Sequence, residues 1–148
     1  MGRIALVSDT HGLLRPEVVR ALQGVDRILH MGDVGSPDVL LGLSAIAPVL
    51  AVRGNVDRGA WAQALPLTRL VEVQGASLHL LHNVAELDLD PVAAGIAMVL
   101  YGHSHIPKEE ERAKVRYVNP GSIGPKRFDL PISFAFLAED LSVEFVRL

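Results

Sequence analysis

Three short apolar runs decide the fold of this chain: RIALVS at residues 3–8, DRILHM at residues 26–31 and VLAV at residues 49–52. Short continuous apolar runs are typical of strands buried in a parallel sheet. Each run is followed at once by a polar block, and the blocks are Asp9-Thr10-His11, Gly32-Asp33 and Arg53-Gly54-Asn55. Side chains just beyond neighbouring strands can converge on one point although they are far apart in sequence.

The two segments between these runs are predicted helices. Residues 16–23 begin at Pro16 and are followed by Gly24, whereas residues 37–44 follow Ser36, the expected N-cap. Strand, helix, strand, helix, strand with short connections predicts a parallel sheet with right-handed crossovers. Ligands of such sheets lie beyond the carboxyl ends of the strands, where the polar blocks fall.

The second half of the chain changes character. Residues 68–74 and 77–82 are predicted to form a hairpin around Gly75, and residues 90–95 a short helix. The charged run at residues 109–114 is expected to be the solvated edge of a hairpin. Four further strands are expected, at residues 97–101, 116–119, 132–138 and 141–148, the last two joined by a turn at Glu139-Asp140. Periodicity alone therefore predicts an α/β chain with a mixed second half.

Composition sets outer bounds on the protein. With 148 residues, 49% of them hydrophobic, residues 1–148 are expected to form one domain. No apolar stretch reaches the ~18 residues that span a bilayer, and a strand-like run follows Met1-Gly2 directly, so we expect neither a membrane nor a targeting segment. The lack of cysteine excludes a thiolate metal site and is compatible with a cytoplasmic location. A net charge of -3 without a basic tract argues against a DNA-binding surface.

Seven side chains of metal-ligating type follow one another in order along the chain. They mix oxygen and imidazole nitrogen without sulfur, which suits Mn, Fe or Zn better than Ca. Seven ligands are too many for one tetrahedral ion but enough for two ions sharing a carboxylate, the arrangement used in two-metal hydrolysis of phosphate esters. The seven are Asp9, His11, Asp33, Asn55, His82, His103 and His105.

Each candidate ligand also has a purely structural interpretation. Asp9 and Asn55 are residue types that favour turns and caps. His103 and His105 are spaced so that they point to the same side of an extended segment, which by itself does not require a metal. His30 is expected to be a core residue or to support the metal site by a hydrogen bond, and His79 an ordinary strand residue. The ordered set as a whole favours the metal site.

The blocks DxH, GD, GNxD, a lone His and GHxH, followed by Asn119-Pro120-Gly121-Ser122, resemble the calcineurin-like metallophosphoesterase superfamily. Within it, the chain is similar to small single-domain YfcE-type phosphodiesterases. The resemblance extends from Ile4 to about Ser122. It implies a four-layer αββα sandwich, in which two mixed sheets pack face to face with helices outside.

The resemblance also implies a role for each ligand. One ion would be held by Asp9, His11 and His105, the other by Asn55, His82 and His103, with Asp33 bridging the two. The cofactors would be two divalent ions; Mn is our first expectation, and Zn, Fe, Ni or Mg would also fit.

The activity implied is hydrolysis of a small or nucleotide-like phosphodiester by in-line attack of a metal-bridging hydroxide. Asp33, Asn55 and His82 would act in catalysis through the ions. Asp57 is a candidate to orient a histidine or water, although a loop cap is an equally good interpretation. Arg53, Lys126 and Arg127 are candidates for binding the substrate phosphate, with surface solvation as the alternative for all three.

Two positions depart from the patterns of the family. Val56 stands where the phosphoprotein phosphatases carry a histidine that is a candidate general acid, so we expect a preference for good leaving groups or diesters. Asn83-Val84 replaces the Gly-His of the small phosphodiesterases. Asn83 is expected to imitate glycine by adopting a left-handed conformation, whereas Val84 cannot replace an imidazole. Rate and substrate contacts are affected more than metal binding.

Two other functions fit the same residues. One is a phosphomonoesterase or an enzyme acting on another phosphoanhydride. The other is a non-enzymatic scaffold, because one branch of the family serves in membrane-coat assembly after losing some ligands, whereas all seven are present here. The partner is expected to be a small phosphoester. A homo-oligomer can also form if the apolar residues 132–137 are an edge or interface strand instead of core.

Overall fold

The computed structural model describes residues 2–148, which form two five-stranded mixed sheets packed face to face. The first sheet has the order β10-β9-β1-β2-β3. Strands β1, β2 and β3 are parallel to one another, β9 is antiparallel to β1, and β10 is antiparallel to β9. Its elements, with the helices α1, α2 and α3 that belong to the same half, are β1 (Arg3–Val7), α1 (Pro16–Ala21), β2 (Arg27–His30), α2 (Pro37–Ser44), β3 (Val49–Ala51), α3 (Ala60–Gln63), β9 (Ser133–Ala138) and β10 (Val143–Arg147).

The second sheet has the order β4-β5-β6-β8-β7. Its three inner strands β5, β6 and β8 are parallel, and the edge strands β4 and β7 are antiparallel to their neighbours. The strands are β4 (Thr68–Val73), β5 (Ala76–Leu81), β6 (Ile96–Leu100), β7 (Lys108–Arg112) and β8 (Val115–Asn119). The two sheets thus confirm the predicted mixed α/β architecture.

Apolar side chains fill the space between the sheets. Leu6 and Leu29 of the first sheet meet Leu78, Leu80 and Leu100 of the second, all fully buried. Removing this surface from water is the main force that holds the sheets together.

The outer faces of the two sheets are covered differently. On the first sheet, Val18 of α1 and Leu43 of α2 pack on Val7 and Ile28. On the second, the cover is a 3₁₀ turn at Val84–Glu86 and the loop after it, whose apolar side chains pack on Val99 and Tyr117. The helical layer expected on that side is therefore thin.

Several local predictions were wrong. Residues 90–95 form turns instead of a helix, because after the Ala94 N–H donates to the Asp90 carbonyl, the N–H groups of Gly95 and Ile96 donate to carbonyls three and five residues back and no regular helix continues. Ser36 is the N-cap residue of α2, as predicted, but its side chain makes no capping hydrogen bond. The four-residue helix α3 was not predicted, since it is too short to show a period.

The apolar residues 132–137 belong to the core and not to an edge. Strand β9 lies inside the first sheet between β1 and β10, and Phe134 within it is fully buried. The charged run, by contrast, forms β7 at the edge of the second sheet, as predicted. Among residues 2–148, no helix is long and apolar enough to cross a membrane.

Candidate metal centre

The polar blocks meet where parallel strands of both sheets end. Strands β1, β2 and β3 lead into Asp9, Asp33 and Asn55, and strands β5 and β6 lead into His82 and His103. Because parallel strands of one sheet present their carboxyl ends at the same edge, these side chains converge as the sequence predicts.

Two groups of potential metal ligands lie in this cleft and share one carboxylate. Asp9, His11 and His105 form one group, and Asp9, Asp33 and His82 form the other; within each, the candidate ligand atoms lie within 4.8 Å of one another. Oδ1 of Asp9 is 3.3 Å from Nε2 of His105 and 3.6 Å from Nε2 of His11.

Asp33 belongs to the second group and also approaches a histidine of the first. Its Oδ2 is 3.2 Å from Nε2 of His82 and 3.5 Å from Nε2 of His11, whereas its role as a bridge between two ions stays a prediction. Asp9, Asp33, His82 and His105 are all buried.

Asn55 and His103 are the two exposed members of the expected set. The His103 ring is edge-on to the His82 ring, with the centroids 5.2 Å apart. The Asn55 side chain makes no hydrogen bond with any residue between Gly2 and Leu148. The structure therefore brings five of the six candidate carboxylates and histidines into tight groups, with His103 and Asn55 exposed at the rim.

Five of the candidate ligands have a left-handed backbone, which sequence reasoning missed. Residues other than glycine avoid positive φ because the Cβ atom meets the backbone. Such strain persists where surrounding structure enforces it, and it clusters at functional sites. The φ values are 59° for Asp9, 46° for His11, 55° for Asp33, 74° for His103 and 64° for His105.

Two glycines allow the loops to approach one another closely. A Cβ atom on Gly54 would collide with the backbone and carboxylate of Asp33, and one on Gly102 would collide with Ser8 and with Oδ2 of Asp9 at 2.7 Å. Both glycines directly precede a candidate ligand in the sequence, so the close approach of the loops brings that ligand into the cleft.

In Asp9 and in Asp33, one carboxylate oxygen accepts hydrogen bonds from the protein and the other oxygen accepts none. Oδ2 of Asp9 accepts hydrogen bonds from Oγ of Ser8 at 2.6 Å and from the backbone N–H of His103 at 3.1 Å. Oδ1 of Asp33 accepts from the N–H of Val56 at 3.1 Å. The remaining oxygens, Oδ1 of Asp9 and Oδ2 of Asp33, face the histidine rings.

His82 is oriented so that a nitrogen lone pair faces the carboxylates. Its Nδ1 lies 2.8 Å from the carbonyl oxygen of Met31, which only accepts, so Nδ1 carries the proton and donates. In the neutral ring, Nε2 then presents its lone pair to Oδ2 of Asp33. A lone pair facing an anion is unfavourable unless a proton or a cation lies between them.

The buried groups without hydrogen-bond partners fit a cation. Within residues 2–148, Oδ1 of Asp9, Nε2 of His11, Nε2 of His82 and Nδ1 of His105 are buried and make no hydrogen bond. Buried polar atoms are almost always paired, so this concentration in one cleft indicates a site for a bound ion. Carboxylate oxygen and imidazole nitrogen are suitable ligands for a transition-metal dication.

The carboxylates and histidines of the cleft shift one another's pKa values. Burial on its own raises the pKa of Asp9, but the nearby His105 and His11 rings and the Ser8 hydroxyl outweigh it and hold the pKa well below its usual range. Burial on its own would raise the pKa of Asp33 and lower the pKa of His82. The contact between the two side chains outweighs burial, so the pKa of Asp33 is lowered and the pKa of His82 is raised. The cleft favours ionised carboxylates beside a positive charge.

His30 supports the site from beneath, which was one of its two expected roles. Nε2 of His30 is 3.0 Å from Oγ1 of Thr10, and the single Thr10 hydroxyl proton goes to the carbonyl oxygen of Val34 at 2.7 Å. The His30 Nε2–H must therefore donate, while Nδ1 accepts the N–H of Gly32. Complete burial lowers the pKa of His30 to about 4, so the ring is neutral.

Asp57 holds the loops of the site through backbone contacts. Its carboxylate accepts N–H groups of Gly54 at 2.8 Å, Gly35 at 2.9 Å and Val34 at 3.2 Å. These contacts join the loop after β2 to the loop after β3, as the loop-cap interpretation describes. Direct action of Asp57 in catalysis stays a prediction.

The Asn-Pro-Gly-Ser turn after β8 fixes two of the ligand loops. Nδ2 of Asn119 donates to the carbonyl oxygen of Gly102 at 3.0 Å, and Oγ of Ser122 donates to the carbonyl oxygen of Asp9 at 3.0 Å. Arg15, which sequence reasoning missed, donates to the carbonyl oxygen of Gly124 at 3.2 Å. No local signal identifies Arg15, because its partner is distant in sequence.

The predicted substrate contacts lie in different surroundings. Arg53 follows β3, and its Nε is buried without a hydrogen-bond partner among residues 2–148. Lys126 and Arg127 are exposed in the loop after Gly124, and neither makes an ion pair within the described part of the chain. Asn83 was wrongly expected to be left-handed: its φ is -114°, and its side chain caps the 3₁₀ turn by accepting the N–H of Ala85 at 3.0 Å.

Comparison with known proteins agrees with this geometry. The chain is 33% identical to a probable metallophosphoesterase of Methanothermobacter thermautotrophicus, over 97% of this chain and 91% of that protein. It is 29% identical to the phosphodiesterase YfcE of Escherichia coli, over 95% of this chain and 90% of that one.

Solved structures share the fold. An archaeal phosphodiesterase superposes with a TM-score of 0.84 at 22% identity, covering 99% of each chain. Vps29 of Chaetomium thermophilum superposes with a TM-score of 0.80 at 17% identity, covering 100% of this chain and 96% of that one. The family model for the calcineurin-like phosphoesterase superfamily domain matches residues 3–141, and the chain belongs to that superfamily.

Proposed function

We propose that this protein is a metal-dependent phosphodiesterase that acts on a small or nucleotide-like diester at a site for two divalent ions. The observation that carries the proposal is the pair of ligand groups sharing Asp9, with Asp33 of the second group also 3.5 Å from His11 of the first. The YfcE relative is itself named a phosphodiesterase, which supports the same reaction class.

The ligand set gives the occupied site a positive charge. Two dications carry +4 and two carboxylates, Asp9 and Asp33, carry -2, so the site would hold about +2 before any water or substrate binds. The histidines and Asn55 add no charge as ligands. An anionic phosphodiester is attracted to such a site, and its phosphoryl oxygens meet the positive charge directly.

The protein's contribution is to hold the ligands in place before the ions arrive. Asp9 and Asp33 each have one oxygen fixed by hydrogen bonds, and His82 is fixed by the carbonyl of Met31. Asn55 and His103 would complete the second ion's coordination from the rim. The bound ions would supply an activated water and neutralise charge as the ester bond breaks.

The leaving group is expected to depart with little help from an acid. The side chain after Asn55 is Val56, which is exposed and cannot donate a proton. Esters with weakly basic leaving groups, or diesters whose leaving group takes a proton from solvent, should therefore react best.

Hydrolysis of 4-nitrophenyl esters by metal-stripped protein tests this proposal. A methyl 4-nitrophenyl diester and the matching monoester are offered, with Mn, Zn, Ni and Mg added back singly. We expect the diester to be hydrolysed faster, only with a transition metal, and most readily with Mn. Hydrolysis of the monoester alone would identify a phosphomonoesterase instead.

A scaffold is the second candidate, and Asn83-Val84 in place of Gly-His is the observation that favours it. The Asn83 side chain is used to cap the 3₁₀ turn, and Val84 offers no group for a phosphate. If the protein binds two ions but hydrolyses neither ester, the scaffold function is correct and the enzyme proposal is wrong. We further propose a cytoplasmic location, in keeping with the lack of cysteine.

A further inference from the structure

Within residues 2–148 the two sheets have four edge strands, and three of these are protected against pairing with a further strand. An edge strand carries backbone N–H and C=O groups without a partner in the sheet, and proteins protect such edges by shortness or by charged side chains. Strand β3 has only three residues. All five residues of β7 are charged, and the two exposed residues of β10, Glu144 and Arg147, are charged as well.

The fourth edge, strand β4, has neither form of protection. It is six residues long, and Leu70 near its middle is 59% exposed. Leu67, which precedes the strand, is 62% exposed. Strand β4 thus combines exposed apolar side chains with an unpaired backbone, which is typical of edges that pair with another chain.

The turn after β4 determines which backbone groups of the strand face outward. Gln74 and Gly75 have positive φ values of 51° and 79°, so they form a type I′ turn whose flanking residues, Val73 and Ala76, are hydrogen-bonded to each other. Hydrogen-bonded and non-hydrogen-bonded pairs alternate along an antiparallel ladder, so every second residue of β4 directs its N–H and C=O groups away from β5. These outward residues are Thr68, Leu70 and Glu72.

The outward backbone groups are open to a second strand. The Glu72 carbonyl oxygen accepts a hydrogen bond from Nη2 of Arg27 at 3.4 Å, which agrees with its outward direction and leaves it a second lone pair. Between Gly2 and Leu148, no loop or side chain bonds to the N–H or C=O group of Leu70. The middle of the edge therefore has both a donor and an acceptor to offer.

The side chains of β4 favour one register in which the strand pairs with a second copy of itself. An antiparallel pair centred on Arg69 or on Glu72 would place two like charges opposite each other, which is unfavourable. A pair centred on Val71 would place each Leu70 opposite an acid, Glu72. A pair centred on Leu70 places the exposed leucine against its own copy and Thr68 opposite Glu72, with no like charges opposed. The strand is thus complementary to itself.

We propose that β4 is a dimerisation edge, at which two copies of this protein pair antiparallel about a two-fold axis at Leu70 and join their second sheets into one continuous sheet. The metal centre lies at the carboxyl ends of the parallel strands, and the two-fold axis reverses the strand direction. The clefts of the two copies therefore open in opposite directions, and neither is covered by the pairing. This inference does not depend on the proposed phosphodiesterase function.

Sedimentation velocity of the full chain without added metal tests the association. The 16.0 kDa chain should sediment as a monomer at about 1 µM and with twice that mass at about 1 mM, as expected for a small interface of weak affinity. A monomer throughout this range would overturn the proposal.

Proline variants locate the interface on the backbone. Leu70→Pro removes an outward N–H but no bond to β5, and an edge strand tolerates proline at such a position, so this variant should fold and stay monomeric. Glu111→Pro is the matched control on β7: Ala113 and Lys114 also form a two-residue turn with positive φ, so the Glu111 N–H faces away from β8. Circular dichroism checks folding. Equal loss of the dimer in both folded variants would overturn the assignment to β4.

Charged variants test the register and keep the test decisive if Leu70→Pro does not fold. Leu70→Lys and Leu70→Glu should each dimerise more weakly than the unchanged chain, because like charges would lie opposite each other at the two-fold axis. An equimolar mixture of the two should associate about tenfold more tightly than either variant with itself. Leu41→Lys, at a leucine of α2 that is 69% exposed, should dimerise as the unchanged chain does. A dimer that persists in both charged variants, or a mixture no tighter than its components, would overturn the proposal.

Discussion

The buried and exposed halves of the metal centre differ in how much of their geometry the protein fixes by itself. Asp9, Asp33 and His82 are buried, and each has one ligand atom tied to the protein and another left free. Asn55 and His103 are exposed, and no side-chain hydrogen bond within residues 2–148 holds either of them.

This difference predicts that the buried half holds its ligand geometry before an ion binds and that the exposed half can rearrange. A buried half held by strained backbone and hydrogen bonds is ready for an ion before it binds, because the cost of ordering has been met during folding. An exposed half can rearrange as substrate enters and product leaves. Changes in the buried half should therefore affect both folding and activity, and changes at the rim should affect activity alone.

The largest expected effect on activity comes from replacing Asp33. Asp33→Asn should lower kcat/KM for the aryl diester by about 10³-fold, because a neutral amide bridges dications poorly. The matched control is Asp38→Asn, an exposed carboxylate in the first turn of α2, which should retain activity. A loss of less than threefold in the Asp33 variant would show that this carboxylate does not join two ions.

Asp57, which joins the loops after β2 and β3, should contribute to the free energy of unfolding. Asp57→Asn should reduce the free energy of unfolding by about 2 kcal/mol. The Asp57 carboxylate accepts hydrogen bonds from backbone N–H groups, and in the variant an amide NH₂ would face some of these donors. Asp90→Asn changes a carboxylate that also accepts backbone N–H groups, but in an exposed loop, and should change stability by less than about 0.5 kcal/mol. Urea unfolding measures both; equal effects would contradict a special role for Asp57.

The buried His30 should make the metal-stripped protein less stable in acid. Its pKa is about 4 in the folded protein because of burial, against 6.5 for the free side chain, so the unfolded chain takes up the proton first. The stability that the neutral ring contributes is complete above pH 6.5 and is lost as pH falls toward 4. Between pH 6.5 and 5.5 this loss is about 1 kcal/mol.

The variant His30→Gln isolates this effect, because glutamine does not titrate. Urea unfolding of both proteins at the two pH values should show about 1 kcal/mol less pH dependence in the variant. The same pH dependence in both proteins would mean that His30 is not buried in its neutral form.

The smallest expected change in stability lies at the rim. His103→Ala should alter the free energy of unfolding of metal-stripped protein by less than about 0.5 kcal/mol, since its ring is exposed. The same variant should still bind one Mn ion but lose the second. A loss of more than 1 kcal/mol, or retention of both ions, would show that the two halves do not differ as described.

Much of the site could be predicted because the fold brings distant strand ends together by a simple rule. Asp9 and Asp33 each follow an apolar run of one parallel sheet, so their convergence followed from the order of the strands. His82 ends a strand that was predicted to form a hairpin, and only the family resemblance placed it with them. The left-handed backbone at Asp9 and the clamp made by Asp57 could not be foreseen, since both depend on loops that meet only in three dimensions. The thin cover of the second sheet was missed because Val84–Glu86 is too short to show a helical period.

The most direct test of the account is a titration of metal-stripped protein with Mn, in which bound ions and diester turnover are measured in the same samples. The account predicts two ions per chain, with turnover appearing only as the second ion binds, and both lost together in Asp33→Asn. Full turnover with one ion bound, or without any metal, would contradict the two-metal site on which the proposed function depends.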